Sequence, residues 1–524
     1  MRGLLALIAL LVVVSVRGEI NSHRVEELPG LGKVSGRQWS GYIEVPVANQ
    51  DTTAHVHYWL VENSRGDPNA TTMAWFQGGP GGSSMIAFFT ENGPFTLNDY
   101  SLQEDGSLQV FENPHSWHTL PANMLYVEHP APTGFSYCSP RTCKWTDESQ
   151  AQVSYEFMVR FFKAYPEFAI QPFRLSGESY AGVLVPTLSE QILKHRTPEN
   201  RHLAPWSLLG FALGNACPGN RVETCTPYSG YIGTQTAVDF RFFHGMISAE
   251  KYGLIQAACA GKWGTYESPG GECARLLEDP TRPVLSEAGD TYNMGGGYFL
   301  YDTCHTDLGL DTSSHSRKTV DVLALEKRLL AGANRTKRLY ERSSRAQFTP
   351  HVDVLQAGSG TSGKHAILPN SGEYFCGQER MSLIYLNRAE VQRAIHVRRT
   401  DFQFSTSLHY EYTAHSLLPL YDKLLVDELD ILQYSGDADP CVPYLGTQKW
   451  IKQLGLQTRK AWAPWSSPEG GNQPAGYLHV MESHNKRRMF TFATVRDAGH
   501  MVPRYKGRAS RHLMQRYLNG FRGV

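Results

Sequence analysis

The chain has 524 residues, its 50 lysines and arginines balance its 50 aspartates and glutamates, and its hydrophobic content is 41%. That length exceeds one ordinary domain but fits a large α/β core carrying an insertion. The neutral balance excludes a field that would draw nucleic acid or an anionic membrane, so neither is an expected partner.

Residues 1–18 read as a signal peptide: one arginine, an apolar run from Leu4 to Val14, then small residues ending at Gly18. The run is too short for a spanning helix, so stable membrane insertion is not expected. The reading is a protein of the secretory pathway, lysosomal, vacuolar or secreted. Nine cysteines suit that oxidising route, and Cys138 and Cys143 bracket a short loop that a disulfide could close. The odd count leaves at least one thiol without an intramolecular partner. Asn69 and Asn334 begin Asn-x-Thr sequons, compatible with glycosylation. No cysteine pair has zinc-site spacing with histidines nearby, so no metal is expected, and no other cofactor.

Along the chain, Ser40 to Val47 and His55 to Glu62 alternate apolar and polar residues around Asn49 and Asp51, the pattern of an antiparallel pair. Thr72 to Phe76 and Met124 to Glu128 are short apolar runs of strand length. Thr146 offers an N-cap to a helix with Asp147 and Glu148 in its first turn and Val153, Phe157, Phe161 and Ala164 on one face. A strand ending at Ser176 meets a helix from Tyr180 to His195, where Pro186 is expected to cause a kink. Ser207 to Ala212 reads as a further strand. The rhythm breaks over residues 217–368, which hold scattered cysteines, a glycine cluster and a basic stretch. Its pairs Arg317-Lys318, Lys327-Arg328 and Lys337-Arg338 read as solvated basic surface in preference to processing sites. Periodicity resumes at Ser382, with strands from Asp430 to Tyr434 and Met489 to Val495 and a last helix from Ala509 to Leu518. Strands alternating with helices imply an α/β fold whose mostly parallel sheet is covered on both faces. The expected division is 19–216 as the first part of the core, 217–368 as an insertion or cap, and 369–524 as the second part.

The segment that organises this pattern is GESYAG at residues 177–182. A serine between a strand and a helix, flanked at two positions either side by Gly177 and Ala181, is the nucleophile-elbow arrangement. A serine hydroxyl needs a base, ordinarily a histidine oriented by a carboxylate. Two other post-strand turns supply these groups: Ser435 to Asp439, with Asp437 and Asp439, and Asp497 to Pro503, with His500. The order Ser179, Asp, His500 is that of the α/β-hydrolase fold. Between the two aspartates, one could serve as the triad acid and the other as a turn residue. The run of residues 77–81 (QGGPG) offers unobstructed backbone N–H groups, and those of Gly79 and Tyr180 are candidates for an oxyanion hole. Glu178 is the less expected feature. Ionised, it would repel a developing oxyanion; buried near a second carboxyl it would keep its proton and donate to an anionic substrate end, tying activity to acidic pH.

Residues 75–84 (WFQGGPGGSS), 177–182, 385–395 (YLNRAEVQRAI), 434–439 (YSGDAD) and 499–503 (GHMVP) resemble the serine carboxypeptidase family, which includes cathepsin A, the yeast vacuolar enzyme and a vitellogenic-like branch. The resemblance runs from about Trp39 to Leu513. It implies Ser179 as nucleophile, His500 as base and Asp439, in preference to Asp437, as triad acid, with Gly79 and Tyr180 as oxyanion hole. It also implies that Gln77, Gly78 and Glu178 bind the substrate's terminal carboxylate, with Glu91 in their hydrogen-bond network. Gln77 replaces the commoner asparagine, which lengthens the amide's reach by one methylene. Gly82 stands where many members have a cysteine, which deprives Cys376 of its customary partner. Cys441 is then the candidate free thiol. The loop at residues 128–137 (EHPAPTGFSY) is a loosened version of a family loop near the substrate. The implied activity is a serine-type carboxypeptidase acting on peptide or protein C-termini, with a homodimer as an allowed assembly. The alternative on the same fold is an acyltransferase or esterase, as in some plant relatives; those often carry aspartate before the serine, whereas Glu178 favours the peptidase.

Overall fold

Strands β1 (Gln38–Pro46) and β2 (Thr53–Val61) form the expected antiparallel hairpin, paired from Gln38 with Val61 to Pro46 with Thr53. Asn49 takes the turn at φ +60°, a conformation asparagine tolerates better than most residues. The computed structural model describes residues 22–521 apart from 104, 221, 223–232, 262, 264–270, 278–296, 303, 305–373 and 469–472. The signal-peptide segment, Asn334, the three dibasic pairs and most of residues 217–368 lie outside the described residues.

The remaining strands of the main sheet are β3 (Thr71–Phe76), β4 (Ala122–Val127), β5 (Phe173–Glu178), β6 (Leu208–Gly214), β7 (Asp430–Gly436), β8 (Gln457–Trp465), β9 (Gly476–Glu482) and β10 (Met489–Val495). Their order across the sheet is β8-β9-β10-β7-β6-β5-β3-β4-β2-β1, and the short strand Tyr137–Ser139 adds to β2 to make eleven. The six strands from β4 to β10 are parallel to one another. Antiparallel strands close the sheet at both sides, β8 and β9 at one and β1 and β2 at the other. The β8–β9 hairpin lacks a sequence signal because β8 is mostly exposed and its register is broken by bulges.

The central strands are apolar on both faces, as expected for a doubly covered parallel sheet. Ala74, Phe76, Leu175 and Phe211 face a core closed by α2 (Asp147–Ala164) and α3 (Ala181–His195). Met73, Trp75, Leu432 and Val495 face the opposite core. That core is closed by α1 (Met85–Thr90), α4 (Gln378–Leu386) and α6 (Gly507–Leu518). Between α4 and α6 in the chain, α5 (Tyr444–Gln453) packs Trp450 into the first core. Each fully buried large side chain of this kind contributes about 1.5–3 kcal/mol.

Thr146 caps α2 through a reciprocal box: its hydroxyl accepts the Ser149 N–H at 3.1 Å, and Ser149 Oγ accepts the Thr146 N–H at 2.8 Å. Helix α3 runs through Pro186 as one element from Ala181 to His195, so the expected kink does not end it. The proline forgoes a single bond to the Gly182 carbonyl, while the helix buries all of its first nine residues. No helix among the described residues is long and apolar enough to cross a membrane.

Candidate active site

Ser179 sits between the end of β5 and the start of α3 with φ +59°. A non-glycine residue is strained there and persists only where its surroundings hold it. Its N–H donates to the Gly214 carbonyl at 3.0 Å, and its own carbonyl accepts the N–H groups of Gly182 and Cys217, each at 3.0 Å. Small neighbours are a steric necessity. A methyl group on Gly177 would lie 2.3 Å from the Phe76 carbonyl oxygen and 2.6 Å from the Ala181 Cβ.

Beside Ser179 the parallel strands end together, and their last residues build the rest of the site. His500 Nδ1 lies 2.7 Å from Asp439 Oδ2, both groups buried. Asp439 Oδ1 accepts the Cys441 N–H at 2.8 Å, and Oδ2 accepts the Asn215 amide at 2.7 Å and the Val442 N–H at 3.2 Å. An acceptor surrounded by donors places the shared proton on His500 Nδ1 and leaves Nε2 with its lone pair. Asp437 has a different task, since its Oδ1 accepts the Asp497 N–H at 2.7 Å and ties the two post-strand turns together. Ser179 and His500 are not hydrogen-bonded to each other. They belong to one cluster through β6: Gly214 takes the Ser179 N–H, and the next residue, Asn215, holds Asp439.

The glycine run lies against the serine turn. A Cβ on Gly78 would sit 2.6 Å from both the Ser179 Cβ and the Tyr180 nitrogen. Gln77 places its side chain between two groups, accepting from the Trp75 indole N–H at 2.9 Å and donating to Glu178 Oε1 at 2.6 Å. Glu178 and Glu91 are 1% and 3% exposed, and neither Glu178 Oε2 nor either Glu91 oxygen meets a donor. Burial pushes the Glu91 carboxyl up to about 7 against the pull of Glu178, Arg504 and His500. Burial and then the Glu91 charge raise Glu178 well above the carboxylate range. Two apposed carboxyls in a dry site share protons.

Four participants escaped the sequence reading. Asn215 orients Asp439; the available signal was an amide at the end of a parallel strand. Tyr298, just before Phe299, stacks its ring on His500 at 5.0 Å between centroids and accepts the His500 N–H on its carbonyl at 2.6 Å. Asp147 holds the Tyr180 hydroxyl and the Tyr410 hydroxyl on one oxygen, each at 2.7 Å. Arg504, buried and lining one cavity with Glu91, pairs with Glu379.

The cysteines resolve into Cys138–Cys143, Cys259–Cys273 and Cys304–Cys376, and Cys217 is also disulfide-bonded. Cys304 thus supplies the partner that Gly82 does not. Cys441 is the free thiol among the described residues. Asn69 is exposed in the turn before β3. Among the described residues no cluster of three or more histidine, cysteine or carboxylate groups could hold a metal.

The serine carboxypeptidase family model matches residues 29–520. The lysosomal protective protein of Mus musculus is 28% identical over 95% of this chain and 94% of its own length. Serine carboxypeptidase-like 21 of Arabidopsis thaliana is also 28% identical, over 95% of this chain and 94% of its own length. A prohormone-processing carboxypeptidase from Saccharomyces cerevisiae superposes with a TM-score of 0.63 at 18% identity, covering 95% of this chain and 96% of the other, which shows a shared fold. The six-stranded parallel centre and the serine elbow are those of the α/β hydrolases, and the chain belongs to the serine carboxypeptidase family.

Proposed function

We propose that this protein is a serine-type carboxypeptidase that removes C-terminal residues from peptides at acidic pH. The observation that carries the reading is the buried Gln77–Glu178–Glu91 cluster directly beside Ser179. An apposed, protonated carboxyl pair with an amide donor suits the terminal carboxylate of a peptide, and it would be costly for an uncharged ester end. The Gln77 amide, the Gly78 N–H and Glu178 grip that carboxylate, with Glu91 sharing the proton.

Anchored there, the last peptide bond lies over Ser179. His500 Nε2 takes the hydroxyl proton as Oγ attacks the carbonyl carbon, with Asp439 stabilising the imidazolium. The N–H groups of Gly79 and Tyr180 receive the developing oxyanion. His500 then protonates the departing amine, the free amino acid leaves, and an acyl-enzyme remains. Water, deprotonated by the same imidazole, releases the shortened peptide. The signal-peptide pattern of residues 1–18 and the sequons at Asn69 and Asn334 support a place in the secretory pathway.

The test compares a blocked dipeptide bearing a free C-terminus with its C-terminal amide. Much slower turnover of the amide supports the reading, and equal rates end it. Ser179→Ala should abolish both turnover and labelling by an organophosphate.

A further inference from the structure

Arg504 lies four residues past His500, in the short helix Val502–Tyr505, and is 9% exposed. Its Nη1 donates to Glu379 Oε1 at the start of α4, and its guanidinium lies 5.5 and 5.8 Å from the ring centres of Tyr374 and Tyr505. Arg504, Glu91 and Gln378 line one small cavity. Among these lining residues, Arg504 Nε, Gln378 Oε1 and both Glu91 oxygens are buried without a hydrogen-bond partner. A buried cation thus lines the same small cavity as Glu91; its Nη1 is taken by Glu379, with Met501 Sδ at 3.8 Å, and its Nε has no partner.

We propose that Arg504 is a positioning residue for the carboxylate-binding pair: its charge draws the pair's negative charge onto Glu91 and keeps the proton on Glu178, the member bonded to Gln77 and adjoining Ser179. This rests on the carboxypeptidase reading for its use, not for its electrostatics.

The groups facing the pair come from every strand end around it. Glu178 closes β5, Tyr126 comes from β4, Tyr434 from β7, Gln77 follows β3, the Cys441 thiol follows β7, and His500 and Arg504 follow β10. Burial holds the Tyr126 and Tyr434 phenols neutral. Asp439 acts on Glu178 and disfavours its ionisation. Glu379, Asp302 and the phenols of Tyr374 and Tyr505 bear on the Arg504 side. The cations of this set, Arg504 and a protonated His500, both favour the carboxylate form of Glu91. His500 loses its charge as the base is armed, whereas Arg504 keeps its charge throughout. The proton on Glu178 is therefore held through every stage of the cycle.

The experiment is a carboxyl titration of protein labelled with ¹³C-glutamate, the pair's signals identified by their loss in Glu91→Gln and Glu178→Gln, together with KM against pH for the free-carboxylate dipeptide and its amide. Arg504→Gln should move the pair's first ionisation up by about one pH unit. Glu379→Gln, which uncovers the guanidinium, should move it down, and Arg504→Lys should leave it near the wild-type value. KM for the free-carboxylate substrate should follow these shifts, and KM for the amide should not. A first ionisation identical in wild type, Arg504→Gln and Glu379→Gln overturns the proposal. Should Arg504→Gln fail to fold, the downward shift in Glu379→Gln and the unchanged lysine variant decide alone. If the ionisations shift as expected while wild type treats acid and amide alike, the charge assignment stands and the carboxypeptidase reading falls.

Discussion

Asn215 donates its side-chain amide to Asp439 Oδ2 at 2.7 Å, the same oxygen that faces His500 Nδ1 at 2.7 Å. Asn215 also accepts the Gly436 N–H at 3.0 Å, so a single side chain at the end of β6 locks the turn after β7. Losing a hydrogen bond to a charged group costs about 1.5–3 kcal/mol. Asn215→Ala should therefore lower kcat roughly tenfold to a hundredfold with KM little changed, because the loss falls on imidazolium stabilisation in the transition state. Steady-state kinetics on a blocked dipeptide check this; a pure KM effect would argue against the assignment.

The carboxyl pair sets a pH dependence whose sign follows from burial. As pH rises through about 7, Glu91 ionises and its charge opposes the substrate carboxylate. KM for free-carboxylate substrates should climb across that range, and KM for amides should stay flat. Glu91→Gln should remove most of the climb, and Glu178→Gln should raise KM already at acidic pH.

The same group makes stability depend on pH. The folded state holds the Glu91 proton up to about 7, whereas an unfolded chain releases it near the ordinary glutamate value, so the folded state binds more protons in between. Stability contributed this way is present below the unfolded value and is lost as pH rises through about 7. Thermal melts should show a falling Tm from acidic to neutral pH, and Glu91→Gln should flatten that fall.

Gly78 has no room for a side chain beside Ser179 and Tyr180. Gly78→Ala should push the loop that carries Gly79 away from the elbow and lower kcat by about 10²–10³-fold, the size of a lost oxyanion donor. Circular dichroism should be unchanged, because the clash is confined to the site. Near-normal turnover would place the oxyanion donors elsewhere.

Asp147 accepts from two tyrosine hydroxyls and from the N–H groups of Thr413 and Ala414, at 2.6 and 2.8 Å. Its removal strands several buried donors at once, each costing about 1–3 kcal/mol. Asp147→Ala should shift the denaturant midpoint more than Thr146→Ala at the cap of the same helix, for which the loss is about 1 kcal/mol.

What sequence alone determined was local and periodic. The hairpin at Asn49, the capped helix at Thr146, the strand–serine–helix turn at Ser179 and the strand from Met489 to Val495 are each written in a short window, because backbone propensity, capping and alternation act between near neighbours. Exposed, bulged β8 carries no such period, so the antiparallel margin that it forms with β9 is not legible in the sequence. The residues by themselves left Asp437 and Asp439 open and the family resemblance preferred Asp439; tertiary structure supplies the reason, since both sit in the same turn and it is Asp439 that meets His500, 61 residues later. The roles of Asn215, Tyr298, Asp147 and Arg504 were decided in the same way. Each acts across hundreds of residues or between separate elements, and pairing of that kind is a property of how strand ends converge rather than of any stretch of chain.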